Sequence, residues 1–127
     1  MIQVAAAIIK TNDEKILICK RGGSGSCAYL WEFPGGKLEA GETFEQCLLR
    51  ECREELEIDI KVISVFAETS YTYPERELSF VFFNAEIVNG TPKINVHDDM
   101  KWVTPDQLKS FAFCPADVEI IERLVKM

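Results

Sequence analysis

The pattern of apolar positions divides the first half of the chain into two short strands and one helix. Apolar residues fill positions 4–9 and 16–19, and the polar run 12–14 between them predicts a turn. From Thr43 to Leu56 there is no Gly or Pro. Apolar side chains recur there every four residues, at Phe44, Leu48, Cys52 and Leu56. This repeat predicts a helix that begins at or next to Thr43, a residue type that caps helices well.

The second half of the chain predicts a long hairpin followed by shorter elements. β-branched and aromatic residues dominate positions 61–73 and 77–87, and the turn between them indicates an antiparallel pair. We expect a short strand at 100–103, a brief helix that opens with Thr104 and Pro105, and a terminal helix at 118–125. This order of strands and helices predicts an α/β fold with helices packed on a sheet.

Two stretches rich in small residues are expected to lie outside regular elements. Residues 21–26 are mostly glycine and serine and predict a mobile loop. Residues 33–36, Phe-Pro-Gly-Gly, are expected to interrupt regular structure just before the helix. Neither stretch is long enough to divide the chain, so 127 residues predict a single domain over positions 1–127.

The net charge, the apolar runs and the cysteine content argue against several classes of protein. A net charge of −7 argues against binding a nucleic acid polymer, although carboxylates that hold a divalent cation still suit a small phosphate ligand. No apolar run approaches the roughly 20 residues that cross a bilayer, and the N-terminus has no signal-peptide pattern. Five cysteines without a Cys-x-x-Cys pair predict reduced thiols in a cytoplasmic protein rather than disulfides or a zinc site.

The predicted helix carries acidic side chains close to its apolar face. At 100° per residue, Glu51 and Glu55 each lie about 20° from Phe44, on opposite sides of it, and Glu54 lies on the adjoining edge. Like charges at this spacing destabilise a helix, and hard divalent cations prefer several oxygen ligands. The face therefore predicts a metal site. The alternative is a solvated acidic edge paired with Arg50 and Arg53.

The spacing of these residues resembles a known motif. Gly36 is followed after five residues by Glu42, and after seven more by the segment Arg50-Glu51-Cys52-Arg53-Glu54-Glu55-Leu56-Glu57-Ile58. This resembles the Nudix box, and residues 30–37 are similar to the MutT-like and CTP pyrophosphohydrolase-type subgroup. Two positions depart from the motif. Cys52 occupies an apolar position. Glu57 stands at the helix C-terminus, where the family has glycine. A left-handed conformation is easiest for glycine, so Glu57 is expected either to cost about 1 kcal/mol or to change the cap.

The resemblance implies a Nudix fold, an α/β/α sandwich around a mixed β-sheet, and a metal-dependent hydrolysis. The implied reaction cleaves a nucleoside triphosphate to a nucleoside monophosphate and pyrophosphate. By position, Mg²⁺, with Mn²⁺ as an alternative, is held by Glu51, Glu54 and Glu55 with the Gly35 carbonyl. Glu51 or a neighbouring carboxylate orients or deprotonates the attacking water, and Arg50 holds the carboxylates in place.

The resemblance also implies substrate contacts. Arg21 matches a basic residue that contacts phosphates, Lys37 assists it, and Phe33 belongs to the substrate-binding residues. The family often supplies a further metal-binding Glu where this chain has Val96, and we expect Asp98, or else Asp99, to replace it. His97 beside it is expected to order the loop through a hydrogen bond rather than to bind metal.

The base preference depends on the segment that precedes the last helix. Asp117 lies where such enzymes touch the base, and a carboxylate suits donor-rich edges such as the cytosine amine or the N1/N2 edge of guanine. The other interpretation is that Asp117 caps the last helix, and the two roles can coexist. Four aromatic residues either stack on the base or pack in the core, namely Tyr71, Tyr73, Phe80 and Phe82.

We therefore expect a monomeric or homodimeric enzyme that acts on a small nucleotide. Its favoured substrates are CTP-type, dCTP-type or oxidised and methylated deoxynucleotides, as in the sanitisation of nucleotide pools. The alternatives are hydrolysis of another nucleoside diphosphate derivative (a dinucleoside polyphosphate, a nucleotide sugar or ADP-ribose) and a nucleotide-binding domain without turnover. Domains of the last kind usually lose the carboxylates of the motif, and all of them are present here.

Overall fold

Seven strands and two α-helices form the described part of the chain, residues 1–25 and 27–127 of a computed structural model. The strands are β1 (Ile2–Ile9), β2 (Ile16–Lys20), β3 (Trp31–Glu32), β4 (Gly35–Lys37), β5 (Asp59–Tyr73), β6 (Arg76–Asn89) and β7 (Asp99–Val103). The helices are α1 (Phe44–Leu56) and α2 (Val118–Val125), with short 3-10 helices at Pro105–Ser110 and Pro115–Asp117. These bounds confirm the predicted helices and hairpin. The loop predicted at 21–26 includes Ser26, which lies outside the described residues.

The strands form two sheets. The larger has the order β4-β1-β6-β5, in which β1 and β6 run parallel while the outer pairs are antiparallel. The smaller has the order β3-β2-β7 and is antiparallel throughout. The larger sheet is therefore mixed, as predicted.

Strand β1 is apolar on both faces because a helix covers each face. Ala5, Ala7 and Ile9 belong to the core that includes the buried residues of α1. Ala6 and Ile8 belong to a second core that includes the buried residues of α2. A strand buried on both faces shows a continuous apolar run instead of alternation, which explains its sequence. The helices thus lie on opposite sides of the mixed sheet, in α/β/α layers.

Helix α1 begins and ends as its sequence indicates. Thr43 is the N-cap and forms a capping box with Gln46, since the Thr43 side chain accepts from the Gln46 N–H and the Gln46 side chain accepts from the Thr43 N–H. Glu57 is the C-cap in the left-handed conformation, with φ 56° and ψ 41°. The expected strained cap at the position where the family has glycine is present.

The expected interruption at residues 33–36 is wrong for its two glycines. Gly35 and Gly36 belong to β4 and pair with Ala6 and Ala5 of β1. A Cβ at Gly35 would lie 2.0 Å from the Ala5 carbonyl oxygen, so only glycine allows this approach. The two glycines therefore lie in a short strand instead of interrupting regular structure.

Within residues 1–25 and 27–127, no helix combines the length and the apolar character that a bilayer crossing needs.

Candidate active site

A cavity of about 640 Å³ opens beside the central sheet and α1. Its walls come from β1, β4, α1, the loop after β2, the tip of the β5–β6 hairpin and the segment before α2. Most of the predicted site residues line it, namely Arg21, Phe33, Gly35, Lys37, Glu51, Glu55 and Asp117. The fold therefore collects residues from distant parts of the sequence around one space large enough for a nucleotide.

Three predicted residues do not line this cavity. Arg50 and Glu54 lie outside it on α1, and Asp98 is exposed in the loop before β7. The side chain of Glu54 is 59% exposed and accepts a hydrogen bond from Arg50 Nη1 at 2.7 Å. The three box carboxylates therefore do not all face one way, because residue 54 is 100° around the helix from residue 55.

Arg50 binds several carboxylates at once. Its Nη1 donates to Glu51 Oε1 at 2.6 Å, and its Nε donates to Glu42 Oε2 at 2.6 Å. Its Nη2 donates to Glu42 Oε1 at 2.9 Å and to the Lys37 carbonyl at 3.2 Å. The planar guanidinium thus connects the loop before α1, strand β4 and the helix itself, a geometry that lysine cannot reproduce.

The ion pair between Arg50 and Glu42 shifts the pKa of both groups. The hydrogen bond from Arg50, together with one from the Glu39 backbone N–H, lowers the pKa of Glu42 to about 2. The same carboxylates raise the pKa of Arg50 above its usual value. Glu42 and Arg50 therefore both carry their charges at neutral pH.

Glu51 and Glu55 form a close carboxylate pair at the cavity wall. Burial, followed by the neighbouring charges of Glu51 and Glu32, raises the pKa of Glu55 to about 8. Gly36 makes room for the pair, since a Cβ there would lie 2.3 Å from Glu51 Oε2. Two partly buried carboxylates with excess negative charge suit a hard divalent cation, so the donor chemistry fits the implied metal. No three His, Cys, Asp or Glu side chains of the described chain are grouped closely enough to hold a metal by themselves.

Asp117 presents a buried carboxyl group to the same cavity. Burial, followed by the charge of Glu32, raises the pKa of Asp117 well above its usual value, and Arg21 opposes this shift. Asp117 stands at the N-cap position of α2, but its side chain makes no capping hydrogen bond. The alternative capping role is therefore wrong, and the carboxyl group is available to a ligand.

Sequence reasoning missed the role of Glu32 in this site. Its Oε1 accepts from Arg21 Nη1 at 3.1 Å, and its Oε2 lies 3.1 Å from His97 Nε2. Strand pairing brings Arg21, Glu32 and His97 together. Glu32 pairs with Cys19 near the end of β2, just before Arg21, and β7, which His97 precedes, pairs with the same strand. Glu32 is only one residue from Phe33 in the motif-like segment, and no local pattern distinguishes it.

The aromatic residues divide between the cavity wall and the core. Phe33 is buried and lies 5.7 Å from Phe113 and 6.2 Å from Phe82 between ring centroids. Tyr73 and Phe80 line the cavity. Phe82 is fully buried, as the core alternative expects.

Comparison with known proteins identifies the family. The sequence model that describes the NUDIX domain family matches residues 1–124 of this chain. The chain is 32% identical over 126 residues to an 8-oxo-dGTP diphosphatase of Escherichia coli (strain K12), covering 99% of this chain and 98% of that one. It is 34% identical over 127 residues to a CTP pyrophosphohydrolase of the same strain, covering 100% of this chain and 93% of the relative.

Solved structures agree with this result. A structure from a study of MutT of Aliivibrio salmonicida and Vibrio cholerae superposes with a TM-score of 0.82 at 30% identity, covering 99% of this chain and 97% of that one. A MutT protein of Methanosarcina mazei Go1 superposes with a TM-score of 0.88 at 20% identity, covering 98% and 93%, and shows the shared fold.

The chain belongs to the Nudix family. Its relatives include MutT-like diphosphatases and pyrophosphohydrolases, so it is a MutT-like Nudix hydrolase with the Nudix fold. The predicted family, subgroup, fold and enzyme class are confirmed. Enzymes of this family generally need a divalent metal ion, and the resemblance drawn from the motif is correct.

Proposed function

We propose that this protein hydrolyses nucleoside triphosphates to nucleoside monophosphates and pyrophosphate with Mg²⁺, or alternatively Mn²⁺, as cofactor. The observation that carries the proposal is one cavity lined both by the carboxylate pair Glu51 and Glu55 and by the buried carboxyl of Asp117. The first two suit a cation bound to phosphates, and the third suits the base of the same nucleotide. The relatives named for 8-oxo-dGTP and CTP support this substrate class.

The residues proposed to hold the cation are Glu51, Glu54 and Glu55 with the Gly35 carbonyl. Glu51 and Glu55 support this assignment by facing the cavity, whereas Glu54 is turned toward Arg50. Asp98, proposed from the sequence as a further ligand, is exposed and has less support. An ion held by these residues would supply positive charge to neutralise the polyphosphate and would make the attacking water more acidic.

The protein's own residues are proposed to bind and orient the reactants. Glu51 orients or deprotonates the attacking water, since Arg50 fixes one of its oxygens and leaves the other directed toward Gly36. Arg21 and Lys37 line the cavity with positive charge that suits the phosphates. These two cations offset part of the negative charge that the acidic side chains bring to the cavity.

Asp117 is proposed to select the base. Burial raises the pKa of the Asp117 carboxyl well above its usual value and so favours its protonated form, in which the group both donates and accepts a hydrogen bond. The Watson–Crick edge of cytosine offers the complementary pair, an amine donor beside a ring-nitrogen acceptor. This favours CTP-type and dCTP-type substrates, with oxidised or methylated deoxynucleotides as the competing class. Phe33 and Tyr73 provide apolar walls nearby.

The experiment is a substrate panel in which pyrophosphate release is followed with Mg²⁺, with and without a chelator. We expect metal-dependent release from CTP or dCTP, or from oxidised or methylated deoxynucleotides. If the protein hydrolyses only dinucleoside polyphosphates, nucleotide sugars or ADP-ribose, the assignment of nucleoside triphosphates as substrates is wrong. Binding without metal-dependent turnover of any compound would contradict the enzymatic proposal.

Asp117→Ala is the matched test of base selection. We expect it to change the order of preference among bases while the metal requirement is retained. Glu119→Ala, an exposed acidic residue in the first turn of α2, is the control for loss of charge near that helix. An unchanged preference in Asp117→Ala would contradict the assignment.

The partners, the cellular compartment and the oligomeric state of the enzyme are also proposed. The net charge of −7 disfavours a nucleic acid polymer as partner. The five cysteines are free, which agrees with a reducing cytoplasm. We propose a monomer or homodimer that acts on free nucleotides.

A further inference from the structure

We propose that His97 is a positioning residue that acts through Glu32 on Arg21, and thereby fixes the guanidinium group that receives the substrate phosphates. The inference rests on the proposed function, because it takes the phosphate-binding role of Arg21 from there. The chain of contacts runs from a buried imidazole to a carboxylate on the cavity wall and on to a partly exposed arginine.

The contacts are direct and use both oxygens of one carboxylate. His97 Nε2 lies 3.1 Å from Glu32 Oε2, and Arg21 Nη1 donates to Glu32 Oε1 at 3.1 Å. Arg21 and Glu32 line the cavity, whereas His97 does not. His97 therefore reaches the substrate space only through Glu32.

The imidazole of His97 is buried, and its hydrogen-bond contacts are few. The imidazole is 4% exposed, and its Nδ1 is buried without a hydrogen-bond partner in the part of the chain that the structure describes. Its loop is already held by the backbone, since the Asp98 N–H donates to the Lys20 carbonyl at 2.8 Å. The imidazole adds a second attachment, because its hydrogen bond to Glu32 ties the loop to β3 as expected, and Glu32 is the polar group that it contacts.

Glu32 needs a partner on its second oxygen because other acidic groups surround it. Its charge contributes to the raised pKa of both Glu55 and Asp117, so it lies close enough to each to be repelled. A carboxylate held at only one oxygen rotates away from such neighbours at little cost. A donor at Oε2 fixes the rotamer that presents Oε1 to Arg21. The Nε of Arg21 is itself buried and has no hydrogen-bond partner among residues 1–25 and 27–127.

The test is a mutant cycle with kinetics. We expect His97→Ala to raise KM for the preferred triphosphate about tenfold with little change in kcat, since a misplaced phosphate contact weakens ground and transition states alike. His97→Gln, whose amide can donate to Glu32, should recover most of the loss. In an Arg21→Ala background, His97→Ala should have no further effect on KM. Val103→Ala, a buried position on β7, is the control for loss of core packing.

A readout without turnover separates this proposal from the proposed function. NMR of the Arg21 Nε–H group should show faster solvent exchange and a shifted resonance in His97→Ala but not in Val103→Ala. An active enzyme whose KM and Arg21 signal are unchanged by His97→Ala would overturn the inference. So would equal losses in the wild-type and Arg21→Ala backgrounds. A wild-type protein without activity would instead contradict the proposed function, and the Arg21 signal would still decide the coupling.

Discussion

Gly36→Ala tests whether the exact position of Glu51 controls the reaction. Gly36 has ordinary backbone angles, so alanine fits the main chain. Its Cβ, however, would lie 2.4 Å from Glu51 Cδ and 2.3 Å from Oε2, whereas ordinary contacts begin at 3.4 Å. The carboxyl group must therefore move by about 1 Å, and α1 itself does not need to move because a flexible side chain absorbs the clash.

The expected effects on activity and on stability differ widely. A displacement of about 1 Å at a reacting group lowers the rate about 100-fold, equivalent to about 2.7 kcal/mol of transition-state stabilisation. The free energy of unfolding should change by less than about 1 kcal/mol, because the entropic gain from removing a glycine offsets part of the steric cost. Gly35→Ala should instead destabilise the whole fold, since its Cβ would meet the Ala5 backbone oxygen at 2.0 Å.

The assay compares kcat/KM for pyrophosphate release with the urea midpoint of unfolding. Gly22→Ala is the control, because a Cβ at Gly22 meets nothing within 4 Å. A folded Gly36→Ala enzyme with kcat/KM within threefold of wild type would refute the reasoning, because it would separate catalysis from the placement of Glu51.

Three further predictions follow from the same helix. Glu57→Gly should stabilise the protein by about 1 kcal/mol, seen as a Tm increase of roughly 3–6 °C in calorimetry, because glycine adopts the left-handed cap without strain; an unchanged Tm would contradict this. Arg50→Ala should lower Tm at pH 6, and its difference from wild type should shrink on acidification. Glu42 has its pKa lowered from 4.5 to about 2, so its stabilisation is present above pH 4.5 and is lost as the pH falls toward 2; a constant difference would count against the ion pair. Glu51→Gln should lower turnover at least about 1,000-fold with native circular dichroism, and near-normal pyrophosphate release would exclude Glu51 from the reaction.

Local pattern was enough for the elements that build the site. The four-residue apolar repeat of α1, and the two β-branched and aromatic segments of the hairpin with the turn between them, depend on residues close together in the sequence. The bounds of these elements were therefore predicted closely. The glycines of β4 were predicted wrongly because their strand forms only by pairing with β1, which is distant in the sequence. The backbone of β1 lies so close to Gly35 that a side chain there would clash. Residues other than glycine are usual in strands, and pattern alone therefore favours a loop.

The sequence by itself determined the family motif, the helix that carries Glu51 and Glu55, and the left-handed cap at Glu57. These depend on spacing along one helix, which covalent geometry and the helical repeat impose. Only the tertiary structure decided that Glu32 joins Arg21 to His97. Those contacts link residues 11 and 65 positions apart, and strand pairing and burial, rather than any local preference, bring them into one cavity.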